Sequence, residues 1–365
     1  MKLNKLLIFF SFSLLSNLLV SQVEVSTFYA NSKKLKEEYF IASKNDSTKI
    51  GDYKFYYESG SLFQKGEMAN GKPQGYWEIF YPEGTLKTTY NFNNGKKVGS
   101  AKLYDETGKQ TILETYQNDT LSGPYVEFGQ NGNKLYEAYF SYGKQSDSSF
   151  KYNQKGIIQE ICIWNNGKKN GYFVTFHRDT NLVCSKGVYK DNKLNGALTG
   201  YFLDGSIKIK SSYDNGILTG SFEEFFESGT VRERGNYLDG KRSGKWVYYY
   251  PNNQVYMEGL FVDDNFSDNW VIYFPNGSKR QIGKYKNGKA EGEFIFYHKN
   301  GKIKTKGEFK NNLREGIWEG YNVEGILLYE VAFKNGINHG WFHNYNLDGS
   351  ISKSLYFENG VEVKP

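Results

Sequence analysis

Apolar and polar residues follow one another along this chain in a pattern that repeats every 24 residues from Gly51 onwards. Every interval between repeat starts is 24 residues, except that the interval from Gly171 to Gly196 is 25. A fixed short period is typical of a repeat architecture, in which each unit is stabilised mainly by its neighbours. We number the positions of each unit from 1, and the thirteen units begin at Gly51, Gly75, Gly99, Gly123, Asp147, Gly171, Gly196, Gly220, Gly244, Asp268, Gly292, Gly316 and Gly340.

Large apolar side chains recur at fixed positions of the unit. An aliphatic residue is common at position 12, and a second aromatic residue recurs near position 18 in all units except the first, which carries Met68. Position 6 is aromatic in every unit, and its residues are Tyr56, Phe80, Tyr104, Phe128, Tyr152, Phe176, Tyr201, Phe225, Tyr249, Tyr273, Tyr297, Tyr321 and Tyr345.

Two turn signals separate these apolar runs. The first is a glycine at position 10, and the second is most often Asn-Gly at positions 20 and 21. Asp or Asn replaces the second glycine at Asp119, Asp264 and Asn312, and both residue types tolerate the positive φ that a type I′ hairpin turn requires. The turn glycines at position 21 are Gly71, Gly95, Gly143, Gly167, Gly216, Gly240, Gly288, Gly336 and Gly360.

Each unit therefore predicts a strand, a tight turn, a second strand and a second tight turn, with no room for a helix. The sequence predicts an all-β protein, built as one elongated antiparallel β-meander of about 26 strands. At about 4.8 Å per strand, such an array spans on the order of 125 Å before twist shortens it.

A further correlation concerns positions 3 and 16. Units with glycine at position 16, such as Gly66 and Gly259, often carry an aromatic residue at position 3, such as Tyr53 and Trp246. A two-residue turn at positions 9 and 10 would pair position 3 with position 16, and a large ring covering a bare glycine stabilises a sheet. Positions 3 and 6 differ by an odd number, so a regular strand points them to opposite faces. Either a bulge intervenes or both faces carry aromatic residues.

The unit G-x-W/Y-x-x-Y/F-x-x-x-G-x-L/I-x5-Y/F-x-N-G resembles the MORN-repeat variant of bacterial proteins, many of which are described as YwqK-type antitoxins. The resemblance covers about residues 51–363, and residues 75–98 and 268–291 are good examples. It implies a long antiparallel meander of hairpins that associates with proteins or membranes. It transfers no catalytic residue.

A second family also has short aromatic hairpins with glycine turns, namely the choline- and glucan-binding repeats of cell-surface proteins. The run Trp246-Val247-Tyr248-Tyr249-Tyr250 is similar to their paired aromatic residues. This similarity implies polysaccharide binding by aromatic platforms, although most units here lack the pattern.

Residues 1–21 are of another kind. A short basic start is followed by the apolar run from Leu6 to Val20 and by the small residue Ser21. This order predicts a cleavable signal peptide and a secreted or periplasmic protein; an uncleaved anchor is the alternative. No cysteine follows the apolar run, which argues against a lipoprotein anchor. Residues 22–50 are interpreted as a degenerate N-terminal capping repeat.

The charge of the chain excludes one class of partner. The formal net charge is +6, and removal of Lys2 and Lys5 with the signal peptide lowers it to +4. With 46 basic and 40 acidic residues, this mild bias is no footprint of a nucleic-acid-binding protein.

The candidate chemistry is sparse. The register places the two cysteines, Cys162 and Cys184, in strands separated by a third, with Cα atoms about 10 Å apart and beyond disulfide reach. A shifted register in the 25-residue unit could still pair them. His339 and His343 are four residues apart, but no third metal ligand is evident and we interpret them as surface residues. The sequence therefore predicts no enzyme, no cofactor and no metal site.

The aromatic residues at position 6 leave two interpretations open. They form only the apolar spine that holds the hairpins together, or they form the spine and also a binding surface. We expect a protein-binding or cell-envelope scaffold, with polysaccharide binding and antitoxin- or immunity-like partner binding as alternatives. If position 6 is the spine, Tyr249→Ala costs several kcal/mol and Tyr345→Ala in the end unit costs less.

Overall fold

The computed structural model describes residues 22–364, which consist only of β-strands and the turns and bends between them. No helix among these residues is long and apolar enough to cross a membrane. The predicted signal peptide lies outside the described residues. The strands are β1 (Val23–Phe28), β2 (Leu35–Ser43), β3 (Asp46–Tyr56), β4 (Leu62–Ala69), β5 (Lys72–Phe80), β6 (Leu86–Asn93), β7 (Lys96–Tyr104), β8 (Gln110–Gln117), β9 (Thr120–Leu121), β10 (Gly123–Phe128), β11 (Lys134–Ser141), β12 (Lys144–Tyr152), β13 (Ile158–Asn165), β14 (Lys168–Phe176), β15 (Val183–Lys190), β16 (Lys193–Leu194), β17 (Gly196–Tyr201), β18 (Ile207–Asp214), β19 (Ile217–Leu218), β20 (Gly220–Phe225), β21 (Val231–Leu238), β22 (Lys241–Tyr249), β23 (Val255–Val262), β24 (Asn265–Tyr273), β25 (Lys279–Lys286), β26 (Lys289–Tyr297), β27 (Ile303–Lys310), β28 (Leu313–Tyr321), β29 (Leu327–Lys334), β30 (Ile337–Tyr345), β31 (Ile351–Glu358) and β32 (Val361–Val363).

The described residues divide into two compact parts, residues 22–144 and residues 145–364. Within each of these two parts, the strands whose pairing is described pair antiparallel with their neighbours in sequence. The predicted all-β meander of tandem hairpins is confirmed.

The described residues form 32 strands rather than the predicted 26 or so. Two of the additional strands, β1 and β2, come from residues 22–50, and β32 consists of the last three residues of the last repeat. The other three, β9, β16 and β19, are two-residue pieces that a break in the ladder before position 1 separates from the next strand. The hairpins are therefore as predicted, and the difference in number comes from the ends and from these breaks.

The second turn of each unit has the backbone that its sequence predicts. At Asn70 and Gly71 both φ angles are positive, at 51° and 72°, as a type I′ turn requires. Each of the nine predicted turn glycines has φ between 72° and 86°. Where Asp119 replaces glycine, φ is 66° and the carboxylate accepts a hydrogen bond from the backbone N–H of Lys97 at 2.8 Å. The replacement thus gains a hydrogen bond to the preceding turn.

The first turn differs from the predicted two-residue turn. The N–H of Tyr57 donates to the carbonyl of Ser61 at 2.8 Å, so three residues lie in the loop, and the last of them, Gly60, has φ of 100°. This geometry shifts the pairing by one residue, and a bulge at Phe63 shifts it back, since Tyr56 pairs with Leu62 and Phe55 with Gln64.

The same irregularity occurs between positions 5 and 6 in all thirteen units. Position 3 consequently pairs with position 16, as the sequence predicts.

A bulge and aromatic residues on both faces are thus both present. Trp246 and Tyr248, two residues apart, stack with ring centroids 6.0 Å apart, whereas Tyr321 donates a hydrogen bond to Glu319. Odd and even positions of the first strand therefore lie on opposite faces. We call the face with positions 3, 5, 16 and 18 the core face, and the face with positions 2, 4, 6, 15 and 17 the ladder face.

The deepest burial falls at position 3 on the core face rather than at position 6. Trp246 is fully buried, whereas all thirteen rings at position 6 are only half-buried. Buried residues at position 3 are Tyr53, Trp77, Ala101, Ser149, Phe173, Phe222, Trp246, Trp270, Phe294 and Trp318.

The glycines at position 16 explain this burial. A Cβ atom added to Gly235 would lie 2.3 Å from the indole of Trp246, so only glycine admits the ring there. The indole N–H also donates to the carbonyl of Asn236 at 3.1 Å. The partner of Trp246 in the ladder is Gly259, whereas the glycine that it covers belongs to the preceding unit. Each such ring therefore packs one hairpin onto the one before it.

Residues 22–50 form a hairpin with the same features. Phe28 pairs with Leu35 after a register shift like that between positions 5 and 6. The hydroxyl of Tyr29 donates to the carbonyl of Tyr56 at 2.7 Å, and that of Tyr57 donates to the carbonyl of Phe80 at 2.9 Å. This segment therefore joins the array by the contact that the complete units use.

Candidate binding surfaces

On the ladder face, the ring at position 6 lies beside the side chain at position 15 of the preceding hairpin, which is charged in many but not all of the units. Each position 6 residue is the last residue of its strand, so its ring lies at the end of the ladder beside the neighbouring hairpin. In four units the cation lies over the ring, 5.3 to 5.7 Å from its centroid, in the pairs Lys65–Phe80, Lys186–Tyr201, Lys210–Phe225 and Arg234–Tyr249. Lys186 corresponds to position 15 because the extra residue of the 25-residue unit precedes it. Lys306 instead pairs with Glu319 at 2.8 Å.

Where position 15 is acidic, the hydroxyl of the tyrosine at position 6 donates a hydrogen bond to the carboxylate. Tyr273 donates to Glu258 at 2.9 Å, and Tyr345 donates to Glu330 at 2.6 Å. Lys245 lies 2.9 Å from Glu258 and, with the Tyr273 hydrogen bond, lowers the pKa of that carboxyl. Burial, and then the hydrogen bond to Glu258, raises the pKa of Tyr273 to about 12. In these six pairs, the residue at position 6 thus links its hairpin to the preceding one through side chains that stay partly in solvent.

Large side chains at position 2 of the ladder face stand further out. Tyr172 is 75% exposed, Ile317 61%, Tyr76 53% and Trp341 43%. Trp341 packs edge-on against Tyr356, its cross-strand partner, with centroids 5.1 Å apart. The periodicity did not single out position 2 because its residue type varies between units. The signal that was available is a large ring directly after the positive-φ glycine of position 1, as in Gly75-Tyr76.

Two pockets with the same repeat positions lie on this face. One, of about 250 Å³, surrounds Gly66 and contains Lys54, Lys65 and Glu78. The other, of about 350 Å³, surrounds Gly235. Both are lined by positions 2, 3, 4, 15, 16 and 17 of one unit and by positions 2 and 4 of the next.

The pairing around these pockets explains them. Lys65 pairs with Glu78 and Glu67 pairs with Gln74, so three residues of β5 lie opposite Gly66 alone. This bulge bends the strand and opens the ladder face behind the glycine. Each pocket presents both signs of charge.

The two cysteines remain free. Cys162 is buried in β13 and Cys184 is half-buried in β15, with β14 between them. Cys162 pairs with Phe173, and Phe173 pairs with Gly187, three residues from Cys184. The additional residue of the 25-residue unit lies in the turn from His177 to Leu182, so it does not bring the thiols together.

The histidines make local contacts. Nδ1 of His343 lies 2.8 Å from the hydroxyl of Ser354, and its ring stacks on Trp341. Nδ1 of His339 accepts a hydrogen bond from the backbone N–H of Asn359 at 3.4 Å. Within residues 22–364, no group of three or more potential metal ligands comes together.

These features define a tandem β-hairpin repeat protein. Five stretches match the family model described as MORN repeat variant, at residues 49–70, 73–94, 218–239, 242–263 and 290–311, so the predicted repeat is confirmed there. The match concerns the repeat and does not extend to an antitoxin activity.

Comparison with other proteins adds little to this. The chain is similar to the crystal structure of TcdB2-TccC3 without its hypervariable C-terminal region, at 10% sequence identity over 92% of this chain. It spans 22% of that chain, and the TM-score of 0.18 is too low to support any argument about fold or function. No curated protein matches the sequence.

Proposed function

We propose that this chain is an exported, non-enzymatic scaffold whose ladder face binds another protein. The observation that supports this proposal most is the exposure of large side chains at position 2, such as Tyr76 and Tyr172, together with the pockets of mixed charge that this position lines at Tyr76 and Lys245. Tyrosine and tryptophan are enriched in protein interfaces, where one or a few such rings carry most of the binding energy.

The repetition itself favours binding over catalysis. Several hairpins offer similar combinations of ring, cation and carboxylate, whereas catalysis uses one singular set of groups. The ion pairs Lys65–Glu78 and Lys210–Glu223 recur at corresponding positions, 2.7 and 3.6 Å long. A partner can therefore meet the same arrangement of charges at more than one hairpin.

Export rests on the sequence of residues 1–21, with its basic, apolar and small residues in the order of a signal peptide. N-terminal sequencing of protein from the culture medium or periplasm tests it. A mature chain that begins at Met1 and stays in the cytoplasm would refute export and leave the binding proposal standing.

Polysaccharide binding is the second candidate, and the exposure of Tyr172 and Trp341 favours it because free rings can stack on sugars. The rings at position 6 suit this role less well, since a cation already lies over several of them. Antitoxin-like partner binding rests on the family resemblance alone, and export argues against a cytosolic form of it.

Crosslinking of the mature chain in envelope extracts, followed by identification of the captured protein, tests protein binding. A glycan array probed with the same chain tests polysaccharide binding. The identified partner is then titrated against the variants Tyr76→Ala, Tyr172→Ala and Trp341→Ala. We expect at least one of them to weaken binding by about fivefold or more without lowering the melting temperature.

Tyr142→Asn is the matched control, because Tyr142 is 80% exposed but lies in a turn with φ of 48°. Binding to glycans with no protein partner would favour the second candidate. Equal weakening by the control would contradict the assignment of the ladder face.

A further inference from the structure

On the core face, the side chain at position 23 covers rings of the following hairpin. The guanidinium of Arg314 lies 4.6 Å from the ring centroid of Trp318 and 5.2 Å from that of Phe333. Those rings occupy positions 3 and 18 of the next unit. Arg242, one of the equivalent residues, lies 4.2 Å from Phe261. Position 23 thus acts as a lid over the aromatic core.

The same arrangement recurs near the other end of the chain. Lys97 lies 5.1 Å from the ring of Tyr116, and Lys49 lies 4.9 Å from that of Tyr53. In another unit the lid is apolar, since the rings of Phe266 and Trp270 have centroids 4.2 Å apart. Where the residue is Lys or Arg, as at Lys97, Arg242 and Arg314, its alkyl stem packs against rings and its charge stays at the rim.

The residue that precedes the last hairpin at position 23 is the short Asn338, and Pro73 and Ala290 are short residues at the same position elsewhere. The rings that the lid would cover, Phe342 and Phe357, instead line an open cavity of about 480 Å³. Its other lining residues are Tyr329, Val331, Phe333, Asn338 and Leu355.

A carboxylate lies on the same side of this cavity. Glu362 of β32 pairs directly with Phe357, and cross-strand partners point to the same face of a sheet. Arg242 has a comparable neighbour, since its Nε donates to Asp264 at 3.0 Å. The last hairpin thus keeps the rings and a carboxylate but lacks the cation.

We propose that this cavity binds an arginine side chain of a partner polypeptide, which takes the place that Arg314 occupies one hairpin earlier. The stem would pack on Phe342 and Phe357, and the guanidinium would meet Glu362 and the side-chain carbonyl of Asn338. Arginine suits the site better than lysine because the guanidinium is planar, stacks on rings and is more weakly hydrated. The site lies on the core face and does not depend on the ladder-face proposal.

The test uses the full mature chain with isotope-labelled methyl groups and the probe peptide acetyl-Gly-Ser-Arg-Ser-Gly-amide. We expect saturable shifts of the methyl signals of Leu355 and Val331. Replacing arginine by uncharged citrulline, or Glu362 by Gln, should weaken binding about three- to fivefold.

Asn338→Arg supplies the lid from within the chain, so it should raise the melting temperature and abolish the shifts. Ser352→Arg is the control, since it adds the same charge to an exposed residue of the same hairpin outside the cavity. No saturable shift up to about 10 mM peptide, equal binding of the citrulline peptide, or undiminished binding to Asn338→Arg would each overturn the proposal.

Discussion

Each face of the sheet carries a recurrent aromatic position, but the rings on the two faces differ in burial and in the groups that they contact. On the core face Trp246 is fully buried and lies over Gly235, with its indole N–H bonded to a backbone carbonyl. On the ladder face Tyr249 is half-buried beside the guanidinium of Arg234. The burial of each ring thus depends on its neighbour in the preceding hairpin. Glycine at position 16 lets the ring at position 3 lie flat on the backbone, whereas the side chain at position 15 leaves the ring at position 6 partly exposed.

The largest loss of stability is expected for Trp246→Ala, which removes a ring from the core face. Removal of a fully buried indole leaves a cavity among Phe222, Phe261 and Trp270, and we expect a loss of about 3–5 kcal/mol in the free energy of unfolding. Chemical denaturation followed by circular dichroism measures it.

A second variant tests the mechanism of this burial. Gly235→Ala places a Cβ atom 2.3 Å from the same indole and should cost about 1–3 kcal/mol by overpacking. In the double variant Gly235→Ala/Trp246→Ala the two losses should not add, since the alanine methyl then meets the space that the indole left. Simple additivity would contradict the proposed packing of ring on glycine.

The hairpins could be predicted from the sequence because turn chemistry is local. The pair Asn70-Gly71 specifies positive φ at two adjacent residues, and few other backbones satisfy it. The core position could not be predicted from constancy of residue type. Position 3 includes Ala101 and Ser149, so it varies more than position 6 although it is more deeply buried.

The candidate binding surfaces were harder still to predict. Two changes of register on β4, one at Phe63 in its pairing with β3 and one at Gly66 in its pairing with β5, decide where the ladder face opens. The cavity at Asn338 depends on a single missing long side chain, which becomes visible only when position 23 is known to be a lid.

The next largest loss of stability is expected for substitutions in the hairpin turns, which belong to neither face alone. Gly216 has φ of 86°, so Gly216→Val should cost about 1–2 kcal/mol, or more because valine is β-branched. Gly216→Asn is the matched control and should cost less, since Asn312 has φ of 71° at the same position. Equal losses would show that another factor limits this turn. Thermal unfolding of both variants decides between these outcomes.

Tyr249→Ala should have a smaller effect than Trp246→Ala, because the ring of Tyr249 is only half-buried. We expect a loss of about 1–2 kcal/mol, which is below the several kcal/mol that follow if position 6 is the buried spine. Arg234→Gln should remove about 0.5–1 kcal/mol of this by loss of the cation–ring contact. A loss for Tyr249→Ala equal to that of Trp246→Ala would erase the distinction between the faces.

The smallest change in stability is expected for glutamates that pair with each other across two strands. Such pairs lie on both faces. Glu224 and Glu233 pair on the core face, whereas Glu293 and Glu308 pair on the ladder face, where both are exposed. Burial, and then repulsion by Glu224, raises the pKa of Glu233, while Arg232 and Arg242 oppose the rise.

A group whose pKa is raised by folding favours the folded state below its unfolded value near 4.5, and this contribution is lost as the pH rises through the folded value. Glu233→Gln should therefore stabilise the protein at pH 7, by no more than about 0.5 kcal/mol because solvent screens the pair, and its advantage should vanish towards pH 4. Glu293→Gln is the control and should show less pH dependence. Melting temperatures of both variants between pH 4 and 8 provide the comparison. If Glu293→Gln gains as much as Glu233→Gln, then burial on the core face does not set the strength of the repulsion.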